Sequence, residues 1–98
     1  MNPVVGVDVT QVLAVVDEVR ALLARPDNDY SWSSFGDAES ALSELDELVA
    51  EVRAHGQVPF MLRVLFAPTG PIQEVSLSSG WGDDFLALAK RFDAAAEP

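Results

Sequence analysis

Paired carboxylates, one imidazole and a glycine-flanked tryptophan are the groups in this chain whose types and spacing bear on chemistry. Glu44 and Glu47, or Asp83 and Asp84, have the composition of a general acid and base pair. A second catalytic group is needed to complete a constellation, and the candidates are few. His55 is the only histidine, and it lies where a helix would end, so it reads as a partner for the helix dipole. No cysteine is present, which removes thiolate chemistry and disulfides. The serines lack a G-x-S-x-G elbow and a second histidine. The expectation is a protein that is not an enzyme.

Two motifs invite a ligand and fail on spacing. Asp27, Asn28 and Asp29 open like a calcium loop, but Trp32 stands at the sixth position where glycine is required, and Ala38 at the twelfth where glutamate is required. Gly80-Trp81-Gly82 resembles a phosphate-binding turn, yet Phe85 occupies the place of the third glycine. Asp83 and Asp84 would also repel a phosphate there. Neither a cofactor nor a metal is expected.

Charge and aromatics carry the remaining functional signal. Sixteen acids face six bases, for a net charge of −10. Such a surface repels nucleic acid and anionic membranes and attracts basic proteins. Glu39, Asp46, Glu47 and Glu51 fall on the solvent side of one amphipathic segment. Tyr30, Trp32 and Phe35 cluster in a polar loop, and Trp81 lies in another. Aromatics of this kind serve either a core or an interface. Met61 joins the candidate interface as an apolar residue on the second face of a strand. The functional expectation is a small acidic protein-interaction domain, in its concrete version an inhibitor or immunity-type partner of a basic protein. One alternative is a small-molecule binding domain with its pocket near Trp32 and Trp81. Another is a homodimer of structural role.

The elements expected to position these residues form a single α+β domain. The 98 residues suffice for one core, and 49% of them are hydrophobic. Val12, Leu13, Val16, Val19, Leu22 and Leu23 recur at helical spacing after Asp8, predicting a helix over about 9–24. Ala41, Leu42, Leu45, Leu48, Val49 and Val52 follow Asp37 in the same way and predict a helix over about 37–54. Phe85, Leu88, Ala89 and Phe92 predict a third over about 83–96. Between them Val58, Phe60, Leu62, Val64 and Phe66 alternate with Pro59, Met61, Arg63 and Leu65. Period two predicts a strand over about 58–66. Pro68, Gly70 and Pro71 then turn the chain into a second strand, about 72–78, with Val75 and Leu77 on the apolar face. The order α-α-β-β-α follows, centred on an antiparallel hairpin, with short extra strands possible at about 4–7 and 30–33. A free hairpin edge, or the face with Met61 and Leu65, would favour a homodimer. Nothing resembles a signal peptide or a membrane span, which points to the cytoplasm.

Overall fold

A computed structural model describes residues 7–97, and among them every regular element is a helix. Five helices occur, α1 (Val9–Leu23), α2 (Ala38–His55), α3 (Phe60–Phe66), α4 (Pro71–Ser79) and α5 (Gly82–Ala96). The expected hairpin is therefore corrected to a pair of short helices, α3 and α4. The α+β class is corrected with it, since no strand occurs among the described residues.

The physical reason lies in the burial pattern. In α3 the buried side chains are Leu62, Leu65 and Phe66, which is i, i+3, i+4 and not every second residue. Phe60, which a strand would have placed on the core face, is 77% exposed. In α4 the buried set is Ile72, Val75 and Ser76, again i, i+3, i+4. Leu77, expected beside Val75, points to solvent. The punctuation agrees with helices. Pro71 occupies the first turn of α4, where its missing N–H costs nothing. Gly80 closes that helix at φ +87°, the left-handed conformation that ends helices.

The segment 30–33 is a run of turns and not a strand. The Ser33 N–H donates to the Tyr30 carbonyl and the Gly36 N–H to that of Ser33. Of the other expected short strand, residues 4–6 lie outside the described residues, and Val7 is neither helix nor strand.

Helix α1 packs between α2 and α5, α4 lies on α5, and α3 bridges α4 and α2. Val12, Val15, Val16, Val19 and Leu23 of α1 meet Leu45, Leu48 and Val52 of α2 and Phe85, Leu88 and Phe92 of α5 in one core. An aromatic stack sits at the α3–α5 contact, with the Phe66 and Phe92 rings 4.2 Å apart and nearly parallel. Helix ends are closed by side chains. Asp8 and Asp37 accept the Gln11 and Ser40 N–H groups at the starts of α1 and α2. The Arg63 guanidinium and the Asp8 N–H donate to the last carbonyls of α5, at Ala96 and Ala95.

Candidate functional site

The 18 residues of α2 present one continuous outer face. Glu39, Leu42, Ser43, Asp46, Glu47 and Ala50 line a shallow open surface along it. Their spacing of three and four residues keeps them on one side of the helix. The acids thus stand around Leu42 and Ala50, so the face is anionic with an apolar centre. Glu51 does not belong to it. It sits round the helix with His55, Gln57, Val58 and Pro59 at a separate small cleft of about 100 Å³.

Asp46 differs from its neighbours. Arg20 of α1 holds it with both branches of the guanidinium, Nε to Oδ1 at 2.9 Å and Nη2 to Oδ2 at 3.0 Å. Bidentate pairing fixes the carboxylate geometrically. These hydrogen bonds, and then the Arg20 charge, hold the Asp46 carboxyl below its usual range. Both side chains remain about half exposed, so the pair orients the two helices more than it stabilises them. Among the described residues the ion pairs are Arg20–Asp46 and Glu18–Arg91, and Glu39 and Glu47 take part in neither.

The aromatic residues divide between core and surface. Phe35 and Trp81 are buried. Tyr30 is half-buried against the core, and its hydroxyl donates to the Leu23 carbonyl at 2.6 Å. Burial of the ring pushes the Tyr30 hydroxyl above its usual pKa. Of Tyr30, Trp32, Phe35 and Trp81, Trp32 alone is free, at 75% exposure. The cleft at Trp81 is lined by Leu77, Gly80, Gly82, Asp83 and Asp84, and Trp32 is not among them. Trp32 and Trp81 are therefore not the two walls of that cleft. Met61 is 45% exposed beside Phe60, whereas Leu65, expected on the same face, is buried.

Residues that the sequence presents only as turn formers or helix charges prove to hold the loop in place. Asn28 Nδ2 donates to the Leu22 and Leu23 carbonyls at the end of α1. The Asp29 and Ser34 N–H groups donate to Ser79 Oγ and Glu74 Oε1 of α4. Asp83 and Asp84 fall in the first turn of α5, where negative charge suits the dipole. Among the described residues, no three His, Cys, Asp or Glu side chains converge as a metal site.

Comparison with protein-family models, curated proteins and solved structures finds no match to this chain. No helix among the described residues is long and apolar enough to cross a membrane.

Proposed function

We propose that this chain is a protein-interaction domain that docks a basic protein surface on the outer face of α2. The carrying observation is the placement of Glu39, Asp46 and Glu47 around Leu42 and Ala50 on one open helix face. Opposite charge at the rim steers a partner and sets its orientation, while the apolar centre supplies contact area. Arg20 contributes by holding the Asp46 carboxylate in one orientation before a partner arrives, which lowers the ordering cost of binding. The net charge of −10 gives the molecule as a whole the same sign. An inhibitor or immunity-type role suits such a face, because a small acidic domain can cover a basic site without performing chemistry.

The test is affinity capture from the source cell with the wild-type chain and with the Glu39→Lys/Glu47→Lys variant, followed by titration calorimetry on each captured protein. A basic partner that loses about tenfold or more in affinity for the variant supports the reading. Equal affinity for both chains, or no partner retained by the wild type, counts against it.

A further inference from the structure

The loop between α1 and α2 carries one large apolar side chain that the core does not take up. Tyr30 packs against the core and Phe35 is buried, but Trp32 between them is 75% exposed. The backbone on either side of it is fastened. On the near side the Asp29 N–H donates to Ser79 Oγ at 2.8 Å, and the Tyr30 hydroxyl to the Leu23 carbonyl at 2.6 Å. On the far side the Ser34 N–H donates to Glu74 Oε1 at 3.2 Å. A turn closes across the ring's own residue, with the Ser33 N–H donating to the Tyr30 carbonyl at 3.1 Å. A loop tied in this way leaves little backbone order to create when a partner covers the indole. Tryptophan is enriched among the residues that carry interface energy.

The charges nearest this ring are of one sign. Asp29 stands three residues before Trp32, with its carboxylate on the Ser31 N–H at 2.9 Å, and Glu74 reaches Ser34, two residues after it. The segment 24–37 also holds Asp27, Asp37 and a single base, Arg25. Glu74 is the one charged residue of α4, on which the loop lies, and Glu39 follows in the first turn of α2. Arg25 lines the groove between α1 and α5 with Glu18, Asp84 and Arg91. The other five bases are engaged or placed elsewhere. Arg20 and Arg91 are ion-paired, and Arg63 donates to the Ala96 carbonyl. Arg53 lies in the last turn of α2, and Lys90 lines a hollow with Phe66 and Phe85. Such surroundings repel phosphate and anionic lipid and attract cations. The face of an indole attracts a cation as well.

We propose that Trp32 is an anchor on which a basic protein partner sets an arginine side chain, its guanidinium stacked on the indole and the Asp29 and Glu74 carboxylates on the two flanks of the loop. Arginine suits the ring better than lysine, because its guanidinium is planar, stacks on aromatic faces and is weakly hydrated. The ring supplies contact area and the acids supply the attraction. A purely apolar partner would leave the acids unanswered, and an acidic one would be repelled by them. The inference rests on the reading that the partner is basic; it does not rest on the outer face of α2.

The test is a magnetic-resonance titration of the whole isotope-labelled chain with hexa-arginine, and with hexa-citrulline as its uncharged isostere. The chain has two tryptophans, so its spectrum holds two indole N–H signals, and Trp32→Leu assigns them. Hexa-arginine should move the Trp32 signal and the Ser31, Ser33 and Ser34 amides saturably. The signal of Trp81, buried and bonded to Asn28, should stay in place. Hexa-citrulline should bind wild type about fivefold more weakly or worse, and Trp32→Leu should lose a similar factor for hexa-arginine, with Trp32→Phe losing less. An unmoved Trp32 signal overturns the proposal. So does equal binding of the two peptides, or binding to Trp32→Leu as tight as to wild type. Movement confined to the α2 amides between Glu39 and Ala50 overturns it and leaves the α2 reading standing. Movement at Trp32 that persists in Glu39→Lys/Glu47→Lys upholds it without the α2 face.

Discussion

Trp81 donates its indole N–H to Asn28 Oδ1 at 2.9 Å, joining the start of α5 to the end of α1. The same Asn28 donates its amide protons to the Leu22 and Leu23 carbonyls, which have no partner within α1. One side chain thereby closes a helix and satisfies the polar atom of a buried tryptophan. Asn28→Ala removes all three bonds and leaves the Trp81 N–H buried without a partner. A buried unsatisfied donor costs about 1–3 kcal/mol, so urea denaturation should show a loss of that size. An unchanged midpoint would mean that water replaces Asn28 at no cost.

Gly70 supplies a test of the helical pair α3–α4. A Cβ at this position would lie 2.7 Å from the Val64 carbonyl oxygen and 2.9 Å from that of Ala67, both backbone atoms that cannot swing aside. The φ of −81° is one alanine accepts, so reduced freedom in the unfolded chain would favour Gly70→Ala by about 0.4–1 kcal/mol. Overpacking costs about 1–3 kcal/mol, and the clash should win. Gly70→Ala is expected to lower stability, measured by chemical denaturation. A stabilised variant would show that the turn between α3 and α4 is more open than this.

The misreading of this region has a physical cause. Val58 to Phe66 alternates with period two, yet Leu62, Leu65 and Phe66 also satisfy the helical period, and seven residues are too few to separate the two. Gly70, Pro71 and Gly80 could have decided it, because Pro just inside a start and Gly just past an end are helical punctuation. Gly and Pro also make hairpin turns, so Pro68, Gly70 and Pro71 fit a hairpin as readily as a helix boundary. The long helices α1 and α2 gave no such conflict, since their stripes run over 15 and 18 residues. The acidic face of α2 was readable for the same reason, except that Glu51 falls round the helix from Glu39 and Asp46. What local spacing does not encode is pairing between elements. Arg20 and Asp46 are 26 residues apart, and Asn28 and Trp81 are 53 apart. Leu77 reads as a core residue of a strand and Leu86 lies off the buried stripe of α5, so the exposure of both is legible only in the fold.

Asp37 gives a prediction in pH. Its Oδ1 accepts the Ser40 N–H at 2.7 Å, and this backbone bond holds the carboxyl below its ordinary value of 3.8. A carboxyl lowered in the folded state stabilises above its unfolded pKa, and that contribution is lost as pH falls through the folded one. The stability gap between wild type and Asp37→Ala should therefore be constant from about pH 7 to 5 and shrink once pH drops below 3.8. Urea denaturation of both chains across that range measures it. A gap that stays constant down to about pH 2 would mean that Asp37 caps α2 without its charge.

The acids of α2 should govern how fast a partner arrives. Glu39 and Glu47 are exposed and outside the ion pairs of the described residues, whereas Asp46 is tied to Arg20. Charges of one sign on a face accelerate encounter with an opposite surface, and salt removes the effect over a Debye length. Association with a basic partner, followed by stopped flow, should slow by roughly tenfold or more between 0.05 and 0.5 M salt. Glu39→Lys/Glu47→Lys should slow it at low salt to a similar degree while leaving helicity and melting temperature near wild type, since exposed charges contribute little to stability. Asp46→Lys should behave differently. It removes one acid from the face and also sets a second cation against Arg20, at the contact between α1 and α2. Slower association should then come with a lower melting temperature, and Arg20→Glu should restore the melting temperature by reversing the pair. A rate indifferent to salt and to the reversal at Glu39 and Glu47 would assign these acids to keeping the chain in solution, and would move any interface away from α2.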